Sequence, residues 1–478
     1  MLKALKTYWI YIFSFIFIGL NSYLVIQEFY YLALLPCTLA LVFMAFFKFD
    51  KLMWFIVFAT PLSINLEELD VGGIGMYIPT EPLMFGVMIL FFFKLMHEKR
   101  FDSNIIKHPI TLAILINIVW IAITSLTSEM PIVSLKFLLA RVWFVVCFYF
   151  IATQLFIVKD NYKKFIWAYV IGLTGVIFYA VIHLSTYNFD HKPAHWVMNP
   201  FYKDHTSYGA LLAMYFPMLF IFFHKRNRPT IRIIAMLLIV VFTVGIILSY
   251  TRAAWISLLG ALVLYLIYKY KIKFRTLLVL GVSCTIALAF SWNSLVIIME
   301  KNSQESSDKL SEHVESISNV SSDASNLERL NRWSSAWRMF QERPFFGWGP
   351  GTYMFQYAPF QMSDEQTIIS TNSGNMGNAH SEYIGPLAES GLLGMLTFLL
   401  IVIVVFTKGS ALYHKLPKGE LKTVVLFCLL SLFTYVTHGL LNNYLDTDKA
   451  SVPFWGFIAL IVAIDVYHSQ KLLKSKAE

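Results

Sequence analysis

Residues 233–270 read IIAMLLIVVFTVGIILSYTRAAWISLLGALVLYLIYKY. Two apolar runs, 233–249 and 253–270, are each long enough to cross a hydrocarbon core of roughly 30 Å as a helix. Ser249-Tyr250-Thr251-Arg252 joins them in a tight hairpin and leaves Arg252 at a span end. Similar runs recur near residues 8–26, 29–47, 52–64, 80–97, 109–126, 133–157, 164–184, 207–224, 276–297, 383–407, 423–441 and 452–468. The 52–64 run is the shortest. The sequence therefore predicts an all-α protein, a polytopic transmembrane helical bundle of about 12–14 spans.

Composition agrees. The 478 residues are 57% hydrophobic and only 14% charged, against roughly 25% charged in soluble proteins. The net charge of +9 does not point to nucleic acid, because most Lys and Arg gather in alternate short connections, from Lys48/Lys51 to Lys471/Lys474/Lys476. The intervening connections carry Glu28, Glu67/Glu68/Asp70, Glu129, Asp190/Asp204 and Asp446/Asp448. Such alternation predicts cytoplasmic termini. Lys3 and Lys6 precede a long apolar run, which reads as a retained first span. Cys37, Cys147, Cys284 and Cys428 stand singly in apolar runs, with no pairing or metal spacing.

Three parts follow: an N-terminal transmembrane bundle over 1–298, a loop outside the cytoplasm over 299–382, and C-terminal spans with a cytoplasmic tail over 383–478. The loop begins with a Ser-, Asp- and Glu-rich piece, Asn302 to Asn326. Ser325-Asn326-Leu327-Glu328 resembles a capping box. Leu327, Leu330, Trp333 or Ser334, Trp337 and Phe340 recur at helical spacing, so this face is expected to rest on the bundle or on lipid headgroups. Pro344 ends the helix, and Gly347-Trp348-Gly349-Pro350-Gly351 must be a tight turn.

Polar chemistry concentrates between Leu327 and Gly394. Arg329 and Arg332 share a helix face at i, i+3. Together with Arg252 they would form an anion site for phosphate or pyrophosphate; the alternative is snorkelling to membrane lipids or pairing with Glu328 and Glu342. Arg141 lies within an apolar run, where a charge costs about 2.5–3.5 kcal/mol. It is expected either to line a substrate cleft or to pair with Glu67, Glu68 or Glu129. His380, just before a span, can take a proton from an acceptor hydroxyl at neutral pH, or simply sit at the interface. Glu389 can line the cleft, orient a donor or pair with an arginine. His191, His195 and His205 do not match a zinc-binding helix, and no phosphate-binding or dinucleotide glycine pattern occurs. No metal or other cofactor is expected.

Three segments together carry a family likeness. Ser249-Tyr250-Thr251-Arg252-Ala253-Ala254-Trp255, Arg329 to Gly351, and His380 to Gly394 resemble, in order, three motifs of the O-antigen ligase/polymerase superfamily. Ser381 stands where the pattern usually has Asn, and fourteen spans exceed the roughly twelve that the resemblance would suggest. The resemblance implies a GT-C-type membrane glycosyltransferase of the bacterial inner membrane, with its active site facing the periplasm. It implies a glycan donor on undecaprenyl pyrophosphate and a lipid A–core or glycan hydroxyl as acceptor. Transfer would be inverting and would need neither metal nor nucleotide, with His380 as base. A ligase and a polymerase share this donor chemistry; a lipid-linked glycan transporter is the reading from another class.

Overall fold

The computed structural model describes residues 2–66, 75–224, 227–272, 324–367, 370 and 377–469. The span expected at 276–297, Cys284, Glu67, Glu68, Asp70, most of the loops at 302–326 and 367–378, and the basic tail lie outside them. Residues Met1–Ile56 form one compact unit and Val57–Glu478 another.

The first unit carries α1 (Leu2–Ile26) and α2 (Leu35–Phe47). Their most apolar stretches, Tyr11–Ile26 and Tyr31–Phe47, are shorter than a full span. The run at 52–64 is not one span. The helix α3 (Phe49–Ala59) gives way to a 3-10 turn at Thr60–Leu62, where Pro61 cannot extend the α-helical ladder. A two-residue strand, β1 (Ile64–Asn65), then pairs antiparallel with β2 (Tyr77–Ile78).

Ten helices among the described residues are long and apolar enough to cross a membrane. They include α4 (Thr80–Glu98), α5 (Pro109–Leu126), α6 (Pro131–Val145, continued to Leu155) and α7 (Asn161–Ser185). Next come α8 (His205–Leu219), α9 (Pro229–Leu248) and α10 (Arg252–Tyr270). The loop helix α11 (Ala324–Glu342) precedes α12 (Ile384–Lys415), α13 (Glu420–His438) and α14 (Asp448–Ala463, continued to Ser469). The protein is thus an all-α polytopic bundle. Proline opens α5, α6 and α9, where its missing N–H costs no hydrogen bond. Asp204 caps α8, its carboxylate accepting from the Ser207 N–H at 2.7 Å. Within the larger unit α14 is the most enclosed span. Its start is tied down by Lys449, whose Nζ donates to the Thr60 and Ser63 carbonyls at 3.0 and 2.9 Å. Asp448 accepts from Ser63 and Thr80 hydroxyls at 2.7 and 2.6 Å. Buried charges need such partners.

Two elements depart from the sequence reading in ways that shape the site. The protein-facing side of α11 is not the aromatic one. Glu328, Asn331, Arg332, Ser335, Ala336 and Met339 are buried, whereas Leu330 and Trp337 are exposed. The small residues allow close packing and the polar ones meet partners from the loop, so of the two supports expected for the aromatic face, protein is not the one found at Leu330 and Trp337. And α12 is broken: Gly391 has φ 70° and ψ −169°. Glu389 therefore lies on a short first segment ahead of the break, and Glu382 precedes the helix.

Candidate functional site

The break in α12 is what the glycine-rich turn is built against. Ala388, Glu389 and Ser390 carbonyls, released from the helical ladder, accept from Trp348 N–H at 3.1 Å, Gly349 N–H at 2.7 Å and the Trp120 indole at 2.9 Å. In return the Leu392 N–H donates to the Pro344 carbonyl at 3.0 Å. Gly347 (φ 68°) and Gly391 face this seam, and a Cβ on either would run into backbone of the other segment. These are the positions where left-handed geometry and close approach both demand glycine. Two sequence motifs are thereby one structural unit. Its core is Ala336, Met339, Tyr353, Tyr357, Ala379 and Ala388.

This unit walls a cavity of about 440 Å³ at one end of the bundle. His380, Glu389 and Arg141 all line it. His380 sits in a left-handed turn (φ 48°) whose N–H donates to the Asn378 side chain at 3.0 Å. Burial, then the charges of Arg329 and Arg332, lower its imidazole to about 4, so at neutral pH it is an uncharged proton acceptor. Next in sequence, the Ser381 hydroxyl accepts from the Tyr383 and Ile384 N–H groups, each at 3.3 Å. It thus holds the approach to α12, whose N-cap residue is Tyr383, with a hydrogen-bonding oxygen of the kind that Asn would also offer. Glu389 Oε1 accepts from the Tyr353 N–H at 3.0 Å, which holds the carboxylate at the wall.

Arg141 is a cation left open to the cavity. Its guanidinium lies 5.5 Å from the Phe137 ring and 6.0 Å from the Trp455 ring, and among the described residues it makes no hydrogen bond or ion pair. The expected partner Glu129 is taken by Arg343 at 2.5 Å; Glu67 and Glu68 lie outside the described residues. Across the cavity Arg141 feels Glu382, Asp446 and Glu389 instead.

The other arginines are divided. Arg332 is buried and bonded to Glu328 at 2.6 Å. Its guanidinium is stacked over Tyr357 at 3.9 Å, and a Cβ on Gly377 would strike it. It stands behind the His380 loop and does not line the cavity. Burial pushes the Glu328 carboxyl up, but hydrogen bonds from Ser370 and Arg332 outweigh this and leave it below the ordinary value. Arg329 is partly exposed and its Nε donates to the Leu441 carbonyl at 3.2 Å. Its charge reaches His380, His205 and His438, but like Arg332 it is not among the residues that line the cavity. Arg252, the first residue of α10, is farther out. The neighbouring Thr251 hydroxyl donates to the His205 carbonyl at 2.8 Å, which brings Arg252 to the bundle end where Asp204 and Ser207 line the cavity. His195 stacks on His205 at 4.1 Å. Among the described residues no three His, Cys, Asp or Glu side chains are arranged to hold a metal ion.

Three lining residues carry more than the sequence suggested. Glu382 Oε1 accepts from the Tyr435 hydroxyl at 2.5 Å and the Tyr444 and Leu445 N–H groups at 2.7 and 2.9 Å, tying the His380 turn to the 439–447 loop. Asp446 and Lys203 also line the cavity. Burial in the wall, then Glu382, raises the Asp446 carboxyl to about 6, against the pull of Arg141. In the sequence Asp446 was legible only as an acidic connection.

Residues 235–399 match the O-antigen ligase family model. The match supports membership of the O-antigen ligase superfamily. It covers Arg252, Arg329, Arg332, His380 and Glu389, and leaves Arg141 outside. With the ten apolar helices it points to a multi-pass membrane enzyme of polysaccharide processing. Comparison with curated proteins returns no match.

Proposed function

We propose that the protein transfers a glycan from undecaprenyl pyrophosphate to a sugar hydroxyl at the periplasmic face of the inner membrane, as an O-antigen ligase whose acceptor is lipid A–core. The observation that supports this most is the meeting, at one cavity, of a neutral imidazole, an open guanidinium and a carboxylate, with the charge of Arg329 acting on the imidazole. The acceptor oxygen attacks the anomeric carbon of the donor sugar as His380 removes its proton. The bond from that carbon to the pyrophosphate oxygen breaks, configuration inverts, and the departing charge is met by Arg329 and Arg252. Arg141 and Glu389 hold the sugar ring and its phosphate in line. General base catalysis contributes about 10²–10⁴-fold, and fixed cations at a developing anion act without reorganising.

The low pKa of His380 fits this sequence of events. A free imidazole near 4 is a weak base, but an anionic pyrophosphate beside Arg329 offsets the cation that depresses it. Binding of the donor thus strengthens the base when it is needed. Neither a metal nor a nucleotide takes part in the proposed step, and activity is expected to persist in a chelator.

The deciding experiment supplies purified protein with lipid-linked glycan and lipid A–core. Transfer to the core supports the ligase. A ladder of longer lipid-linked products would make it a polymerase. Movement of lipid-linked glycan across vesicles without a new glycosidic bond would replace transfer by transport.

A further inference from the structure

The outward face of α11 and the turn that follows it form an apolar surface with no protein cover among the described residues. Trp337 is 52% exposed, Phe345 77% and Phe346 46%. In a soluble setting such a patch would be a liability. Its level relative to a span is fixed by one contact. The Phe346 ring stacks on Trp120 of α5 at 5.9 Å and an interplanar angle of 15°. Trp120 lies six residues before the end of α5 at Leu126, which at 1.5 Å per residue is roughly 9 Å below the helix end. That end is the one facing the loop, because the Glu129 N–H donates to the Trp348 carbonyl at 3.1 Å. On the same span Val119 and Ile123 are exposed, as a lipid-facing side must be.

We propose that the Phe345-Phe346 turn and the Trp337 face of α11 are inserted in the outer leaflet, at the boundary of headgroups and acyl chains. The occupant of this surface is phospholipid. Interfacial helices bury their apolar faces by about 5–10 Å, which matches the depth that Trp120 sets, and aromatic rings favour that zone. The buried polar stripe of α11 faces protein while its aromatic stripe faces lipid, the arrangement expected of a helix lying at the bilayer surface against a bundle. The inference does not depend on which glycan is transferred.

The test is nitroxide labelling of the full chain in vesicles of three parts phosphatidylcholine to one part phosphatidylglycerol, with Cys37, Cys147, Cys284 and Cys428 replaced by alanine. Labels at Phe345→Cys and Trp337→Cys are compared with Ile116→Cys, exposed and deeper on the same span, as a lipid-facing reference and Glu342→Cys as an aqueous one. Expected is oxygen accessibility at Phe345 several-fold above that of a nickel chelate, with a depth between the two references. Chelate accessibility equal to that at Glu342 would overturn the proposal, as would a label shielded from both reagents, which would mean protein covers the face. Should the cysteine-free chain not fold, benzoylphenylalanine at position 345 in the native background gives the same answer. A phospholipid adduct is expected after irradiation, and an exclusively intramolecular crosslink would refute insertion.

Discussion

Arg332 and Arg141 are both arginines set among apolar residues, and the regions that hold them could hardly differ more. Arg332 is held on three sides: Glu328 at 2.6 Å, Tyr357 beneath the guanidinium, and the Tyr353 hydroxyl on its carbonyl at 2.7 Å. The seam beside it, from Pro344–Gly351 to Ala388–Leu392, is likewise closed by backbone hydrogen bonds. Around Arg141 the charges face one another across open space. A region whose charges are paired within the protein builds the wall. A region that leaves donors unspent is where a ligand can be held.

That contrast can be broken by mutation. His380→Asn has the largest expected effect: Asn tolerates the left-handed backbone of the turn, so melting should be unchanged while transfer falls about 10²–10⁴-fold. Retained turnover would remove His380 as base. Arg332→Ala belongs to the closed region and should cost about 3–5 kcal/mol of stability, since it strands Glu328; thermal melting in detergent measures this. Glu328→Gln combined with Arg332→Met should recover most of that loss, whereas a stable Arg332→Ala protein that only loses activity would move Arg332 to the open side.

Arg141→Met should leave melting unaltered and lower kcat/KM by about 10–150-fold, the equivalent of one charged hydrogen bond. A large loss of stability would show that the cavity, like the seam, spends its donors on the fold. The smallest effect concerns pH. The proposed step needs neutral His380, so kcat/KM is expected to be lost as pH falls through a value of about 4. Arg329 holds that value down, so Arg329→Ala should move the acid limb upward by about one pH unit. An unmoved limb would uncouple the two residues.

Much of the frame was legible because apolar runs near 20 residues have few other uses in such a chain. The Pro344 stop and the glycine turn were legible too, because those residues act locally. What escaped depends on neighbours far away in sequence. The buried face of α11 could not be read from its aromatics, because the polar stripe finds partners in Gln361 and Ser370 and the aromatic stripe turns outward. The break at Gly391 looked like an ordinary glycine in a span until the Pro344–Gly351 turn was seen to occupy it. Arg329 and Arg332 were indistinguishable at i, i+3, and only the positions of Leu441 and Tyr357 separate them. Asp446 gave no signal beyond its charge.

The broken helix has a bearing on protein engineering. A turn that lends its amides to a span cannot be exchanged between homologues on its own: a chimera cut at Arg343 and Thr352 would carry foreign spacing into the carbonyls of Ala388 and Glu389 and leave them orphaned in a dry interior. Grafts intended to alter acceptor choice should therefore move Arg343 through Leu392 as a single cassette.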